Sequence, residues 1–589
     1  MTGDNKNFIL AIVLSMAIIA GWQYFYVNPM MKEKEKQTTT EITTGGGTTT
    51  TTPDTTTPVV NLTRAEAIAL TPRVKIDTPA LEGSINLKGA SIDDIRLKNY
   101  RETVDPASPI ITFLSPKGAP DALFAEHGLS AAEGSGIKVP GPDSMWVAPA
   151  NAVLTATTPL TLTFDNGAGL LFSRIISVDD KYMFTVKQEV KNTTAAPVAL
   201  TPYALVQRQG LPKTQGIWVL YEGPHGILGG QEQRQDYATV TKSQGPISLP
   251  STGGWLGFTD KYWAVSVIPD QKSELTGEFV HQKKADVDVF QSSYIAKAPL
   301  QIPAGGQAFY ESHVFAGAKI AGMVEDYKAA LGIDKFDLLI DWGWFWYFTK
   351  PLYYLIDWLY GIIGNFGLAI LAITVLVKLA FFPLQNKSYA SMSKMKKLQP
   401  KIEEMRKLHA DDKMRQQQEL IALYKTEKVS PLAGCVPVLL QIPVFFSLYK
   451  VIYTTIELRH APFFGWIHDL SAGDPTSIFN LFGLIPFTPP SFLMLGVWPL
   501  VMGVTMWMQM RLNPTPPDPV QAAMFNWMPV MFTFMMASFP AGLVIYWAWN
   551  NLLGILQQSY IMKKNGVEVD FFGNIANSLP FLKKKKAAI

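Results

Sequence analysis

The chain has 589 residues, 48% of them hydrophobic and 17% charged, with a net charge of +3 and a single cysteine, Cys435. That length allows several domains, and one cysteine excludes an intrachain disulfide, so any large folded region must be held by its core. The small net charge, with lysines in short blocks beside apolar stretches, argues against direct nucleic-acid binding and for membrane topology.

Residues 8–27 are uncharged, follow a short head containing Lys6, and close on Trp22, Tyr24, Phe25 and Tyr26, an interfacial aromatic belt. The apolar run is longer than a signal-peptide core, and bulky aromatics stand where a small-residue cleavage site belongs. An uncleaved anchor (residues 1–28) with its N-terminus inside is therefore expected. Residues 29–58 are Thr-, Gly- and Pro-rich with almost nothing to bury, and read as a disordered tether.

Residues 59–333 have the texture of an all-β domain. Alternating runs such as Ser84-Ile85-Asn86-Leu87 and Tyr182-Met183-Phe184-Thr185-Val186-Lys187 are punctuated by Lys88-Gly89, Asp179-Asp180 and Asn192-Thr193. A large β-sandwich is expected. The segment holds no Gly-rich phosphate loop, no paired metal-ligand spacing and no nucleophile elbow. His127, His225, His281 and His313 are scattered singly and read as surface or satisfied core histidines. Trp218 and Trp255 could stack on a sugar or line a peptide groove, but core packing is the better reading.

Residues 334–361 interleave aromatics with Asp337, Asp341, Lys350 and Asp357, the pattern of an amphipathic segment lying in the outer membrane interface. Residues 362–382 then form an apolar run with one charge, Lys378. About 20 apolar residues cross a hydrocarbon core roughly 30 Å thick, and a central lysine costs about 2.5–3.5 kcal/mol there. Two readings compete: Lys378 snorkels to the inner headgroups, or it lines a wet cavity. Thr374, four residues earlier on the same helical face, makes the polar stripe two residues deep and favours the cavity.

Residues 385–428 hold eleven Lys or Arg residues. Met392, Met395, Leu398, Ile402, Met405 and Leu408 recur at three and four, Pro400 interrupts without shifting the phase, and Asp411-Asp412 supplies a turn and a cap for a second helix with Leu420, Ile421 and Tyr424 on its apolar side. An antiparallel hairpin with a basic exterior is expected within residues 384–429. Its charges form either a solvated face or, with the methionines, a surface for partners or anionic headgroups. The candidates for partner binding are Lys394, Met395, Lys396, Lys397, Lys401, Arg406 and Lys407, together with Lys583, Lys584, Lys585 and Lys586 in the tail (residues 563–589). Four further spans are expected within residues 430–562, at 432–455, 492–510, 524–539 and 541–561, with Pro437, Pro443, Pro499, Pro529 and Pro540 running through them. Six spans entering from inside place the hairpin and tail inside and the loop 457–491, with Arg459 as its one basic residue, outside.

At this point the motifs LQPKIEEMRK (398–407), ALYKTEKVSPLAGCVPVLLQIPVFFSLYKVI (422–452), WIHDLSAGDP (466–475) and FPAGLVIYWAWNNL (539–552) closely resemble the YidC/Oxa-type membrane protein insertases. The anchor, tether and β-domain resemble the layout of the Gram-negative bacterial members. The resemblance implies a polytopic α-helical inner-membrane protein of six spans with a periplasmic all-β sandwich similar to galactose-mutarotase folds. It further implies a five-helix core around a hydrophilic groove, open to cytoplasm and lipid and closed on the periplasmic side. The family's single groove charge, usually arginine, falls on Lys378; Thr374, Gln441, Tyr546 and Trp547 match groove-lining or substrate-guiding positions. Implied partners are nascent membrane proteins, the Sec translocon, the ribosome, the signal-recognition-particle receptor and membrane lipids, with no cofactor and no metal.

No nucleotide-binding loop occurs, so the work must come from the substrate's own partitioning. Two rivals remain on the residues alone: a secondary transporter or channel using Lys378 as counter-charge, which predicts inverted repeats and paired intramembrane ions, and a membrane-anchored carbohydrate-acting enzyme, which needs a carboxylate pair. Neither signature is visible in the sequence.

Overall fold

A computed structural model describes residues 62–212, 220–243, 245–284, 287–409, 412–427, 429, 436–487, 494–513, 519–567 and 569, all within one compact unit, Thr55–Ile589. The predicted anchor and tether, Trp218, Asp411, and the tail lysines Lys583, Lys584, Lys585 and Lys586 lie outside the described residues.

Period-two patterning builds the β-domain. In the strand Leu170–Val178 every second residue from Leu170 to Val178 is buried, and its neighbours are half-buried or exposed. Nineteen strands among the described residues form two sheets, one of eleven and one of eight. In the larger, Val198–Gln209 lies between Leu123–Ala131 and Val287–Ala296; in the smaller, Gln307–Ala318 lies between Trp263–Ile268 and Met183–Asn192, all antiparallel. Phe172, Phe184, Phe258, Phe279, Phe290 and Phe315 fill the core. This is the expected β-sandwich.

Trp255 is fully buried and donates its Nε1–H to the Asp334 carbonyl at 3.1 Å, so it is a core residue. Of the histidines, His225 and His281 reach Glu232 and Asp288 at 3.0 and 2.8 Å, and His313 bonds Thr185 at 3.1 Å. His127 departs from the satisfied-core reading, because its buried Nε2 has no partner among the described residues, and His225 departs in part, its buried Nδ1 likewise having none. Burial pushes the His127 pKa down to about 3.

The helical half begins with α1 (Trp346–Ile363), which buries Thr349, Tyr353, Ile356 and Leu359 and exposes Trp346, Tyr347, Tyr354, Trp358 and Tyr360. The helix is amphipathic, with an aromatic exposed face. α2 (Phe366–Ala380) follows, then α3 (Phe382–Leu408) and α4 (Lys413–Thr426), joined by the Leu398–Ile402–Leu420–Tyr424 seam as the expected hairpin. Asp412 caps α4 by accepting from the Arg415 N–H at 3.0 Å. The bundle is completed by α5 (Val436–Thr454), α6 (Val497–Leu512), α7 (Pro519–Met536) and α8 (Ala541–Lys564). Its core packs Ile370, Ile373, Leu448, Ile452, Met502, Leu543 and Tyr546.

The span read as residues 362–382 needs correction. Gly364, at φ 74°, ends α1 in the left-handed conformation, and Asn365 caps α2 by accepting from the Leu368 N–H at 3.0 Å. Phe381 breaks the chain again, with Pro383 in the first turn of α3 and a 70° bend between α2 and α3. The 15 residues of α2 extend about 22 Å, less than the hydrocarbon thickness. Among the described residues no single helix is long and apolar enough by itself to cross a membrane, and the bent α2–α3 pair reaches that length and composition only as a pair.

The helices meet the sandwich through polar contacts. Asp341, just before α1, accepts from Arg234 of the sheet edge at 3.0 Å and from Lys450 of α5, and these two cations hold its carboxyl below the usual range against the opposing effect of burial. Glu457 accepts from the Ala321 N–H and the Tyr353 hydroxyl. Arg459 lies over Tyr262 and Trp263 and donates to the Arg101 carbonyl at 2.6 Å.

Candidate functional site

An apolar helix that carries polar residues at three- and four-residue spacing must turn them toward one another or toward water. α8 does this with Asn551, Gly554 and Gln558, and α2 with Thr374 and Lys378. Thr374 is buried and returns its hydroxyl to the Ile370 carbonyl at 2.7 Å, leaving the oxygen to accept from elsewhere. Lys378 is half-buried, with no ion pair or hydrogen bond among the described residues. A methyl group placed on Gly554 would stand 3.4 Å from the Lys378 Nζ and 2.8 Å from the Gln509 Nε2. The three residues therefore converge from α2, α6 and α8, and glycine leaves the room in which the ammonium and the amide meet.

The strip continues in both directions. Asn551 donates to the Thr505 hydroxyl at 3.4 Å, Gln558 to the Asn513 side-chain Oδ1 at 3.0 Å, and Gln557 to the Asn386 side-chain Oδ1 at 3.1 Å. Gln385 and Gln558 each keep one buried amide oxygen, and Ser447 its hydroxyl, without a partner among the described residues. Gln441 of α5 donates to the hydroxyl of Tyr546, which is fully buried on α8.

Thr374, Lys378, Gln441 and Tyr546 thus belong to the polar interior of the bundle. Trp547 does not share it: its ring packs edge-on against Phe445 at 4.7 Å and tilted against Phe532 at 5.8 Å, as helix packing requires. Gln509, Asn551 and Gln558 escaped sequence reasoning, although the spacing of Asn551, Gly554 and Gln558 in an apolar helix was the available signal. Lys450 escaped it too. It is a second lysine within an apolar helix, but it is matched to Asp341, so a paired ion exists near the C-terminal end of α5 where none was expected.

On the hairpin, Lys394, Lys397, Lys401 and Lys407 are exposed, and Met395, Lys396 and Arg406 are half-buried. Lys401 pairs with Glu427 at 3.2 Å and ties α3 to α4. Among the described residues no cluster of His, Cys, Asp or Glu could hold a metal ion. The chemistry on offer here is a cation, Lys378, with no counter-ion among the described residues, in a strip of amides and hydroxyls suited to receiving carboxylates and polar backbone.

The family model described as 60Kd inner membrane protein matches residues 358–568, and that of the YidC periplasmic domain matches residues 73–355. The chain is 52% identical to the membrane protein insertase YidC of Nitrobacter hamburgensis over 98% of both proteins. It is 51% identical to that of Rhizobium meliloti over 99% of this chain and all of the other. A crystal structure of an active YidC insertase aligns with 83% of this chain and 95% of its own at 18% identity and a TM-score of 0.34, too low to support an argument.

Proposed function

The chain belongs to the YidC family of membrane protein insertases, and from that premise we propose that it passes the polar flanks of its substrates through the strip between α2, α6 and α8. It works in the inner membrane on nascent membrane proteins and makes or breaks no covalent bond. The observation that carries the reading is Lys378, a bundle cation with no counter-ion among the described residues that shares its space with Gln509 and Gly554.

The energetics fit a passive device. A Leu-rich span of some 20 residues gains about 6–12 kcal/mol on entering hydrocarbon, whereas each translocated charge costs about 2.5–3.5 kcal/mol. The barrier is the polar flank, and a hydrated strip partway into the bilayer shortens its crossing. Lys378 attracts acidic or polar tails into the strip, while the apolar segment leaves sideways between α5 and α8. Lysine brings the charge of the family's usual arginine without its planar fork, so it serves as a point attraction for tails of varied sequence.

In this reading six spans cross the membrane, with residues 8–27 as the first, α2 joined to the start of α3 as the second, and α5 to α8 as the rest. Both termini and the α3–α4 hairpin face the cytoplasm, and the β-domain faces the periplasm. The hairpin lysines and the basic tail meet anionic lipid headgroups, the ribosome and the signal-recognition-particle receptor, and the protein works alone or beside the Sec translocon. Support for this orientation comes from the charge bias, eleven basic residues in 385–428 against one in 457–491.

The test is insertion of a single-span client with an acidic N-terminal tail into liposomes containing the purified protein. Wild type and Lys378→Arg should insert it, and Lys378→Ala and Lys378→Glu should fail selectively on acidic tails. Equal insertion by all four proteins would reduce Lys378 to a snorkelling residue and leave the family assignment standing.

A further inference from the structure

Two core helices begin without a cap of their own. Gly496 precedes α6 and Pro540 precedes α8, and neither supplies a side-chain hydrogen bond to the first turn. The leading N–H groups of a helix need acceptors when water is excluded, and here both helices take theirs from one stretch, residues 470–476 of the loop after α5. The Asp474 carboxylate accepts from the Trp498 N–H at 2.9 Å, and the Thr476 hydroxyl accepts from the Val497 N–H at 3.0 Å, in the first turn of α6. The Ala472 and Leu470 carbonyls accept from the N–H groups of Ala541 and Gly542 at 2.7 and 3.0 Å, in the first turn of α8.

Asp474 is the centre of this arrangement. It is buried, its Oδ2 takes the helix N–H, and its Oδ1 accepts from the Trp466 indole at 3.1 Å and from the backbone and hydroxyl of Thr476 at 3.0 and 2.6 Å. A negative charge there also complements the positive end of the α6 dipole. Gly496 is required beside it, since a methyl group at that position would lie 2.5 Å from the Asp474 Cγ. The same loop touches α2, where the Phe463 ring occupies the space above Gly367 and the Pro462 carbonyl accepts from Asn365.

We infer that Asp474 is a positioning residue for insertion: as a cap supplied from outside the helix, it fixes α6 against α8 and keeps the outer end of the bundle shut. Gln509 lies eleven residues beyond Trp498 on α6, about 16 Å along the axis, so a shift of the capped end moves Gln509 relative to Lys378 and Gly554. The inference rests on the groove reading above, which supplies the function that the positioning serves.

Asp474→Asn is the informative variant. Its remaining oxygen can keep the bonds at Oδ1, but its amide presents N–H toward the Trp498 N–H and removes the cap alone. In a Cys435→Ala background with Gln509→Cys as probe, a membrane-impermeant thiol reagent applied from the outer side should label the Asp474→Asn protein about fivefold faster than the Asp474 protein, the scale of one lost hydrogen bond. Client insertion should slow by a similar factor while the elution volume and circular dichroism stay unchanged. A purely structural role lowers the melting temperature without moving the labelling rate of the folded protein. Thr476→Val, which removes the Val497 acceptor, is the second variant and should give a smaller rise. Unchanged labelling in either folded variant would overturn the inference, and so would failure of both to fold, which would make the loop a folding element only. The labelling readout does not pass through Lys378, so a rise in labelling alongside inert Lys378 variants would retain the cap and discard the groove.

Discussion

Lys450 in α5 is ion-paired with Asp341, which comes 109 residues earlier in the chain at the exit from the sandwich. Asp341 has a second cation, Arg234, so one carboxylate serves both. Loss of the carboxylate should therefore be worse than loss of the lysine, because it removes the anion shared by two cations, whereas loss of the lysine leaves the Arg234–Asp341 pair in place. Asp341→Asn should cost about 3–5 kcal/mol, the scale of breaking a buried pair, and Lys450→Met clearly less. Thermal unfolding of the intact protein in detergent measures both, and equal losses would contradict the shared-carboxylate account.

Gly554 lies in the middle of a helix, where alanine normally stabilises by about 1 kcal/mol. Its methyl group would press on the Gln509 amide at 2.8 Å and approach the Lys378 ammonium at 3.4 Å. Gly554→Ala is thus expected to keep or raise the melting temperature while slowing insertion of acidic-tailed clients, and Gly554→Val to slow it further. The opposite signs of the stability and activity changes separate a site residue from a packing residue.

Tyr546 and Trp547 are neighbours with different duties. Tyr546→Phe keeps the ring and strands the Gln441 amide, which is only half-buried, so it should cost about 1 kcal/mol and still reduce insertion. Trp547→Ala removes the packing against Phe445 and Phe532 and should cost about 3 kcal/mol, the low end for a large aromatic because the ring is half-buried, with Trp547→Phe restoring both stability and insertion. Insertion assays paired with unfolding curves on the three variants check the division.

The β-domain should be acid-sensitive through His127. Burial holds its folded pKa at about 3, below the ordinary 6.5. A cation-forming group with a depressed folded pKa contributes stability that is intact above the unfolded value and is lost as pH falls below 6.5. Between pH 7 and pH 5 the loss is about 2 kcal/mol. His127→Gln should flatten that part of the profile, and the difference between the two profiles isolates this group from the carboxylates.

Much of this architecture was legible beforehand. The Asp412 cap, the hairpin seam through Leu398 and Ile402, and the strand alternation are local patterns with a period, and the chain carries them on its face. The break at Gly364 and Asn365 was hidden because glycine and asparagine interrupt an apolar run without ending it, and only a left-handed φ and a cap bond turn them into a helix boundary. The Arg234–Asp341–Lys450 cluster and the approach of Lys378 to Gln509 and Gly554 join residues more than a hundred positions apart in the chain, and nothing in local periodicity encodes such encounters. Asp474 lay inside a recognised motif, but its target, the Trp498 N–H, is a backbone group that no residue type reveals.

Selection of tails by the charge of Lys378 is tested by the insertion rate of one client measured over a series of N-terminal tails running from acidic to basic. Wild type should favour the acidic end, Lys378→Ala should lose the slope, and Lys378→Glu should reverse it. A slope that is the same in all three proteins would contradict the account, because the charge would then have no part in moving the tail.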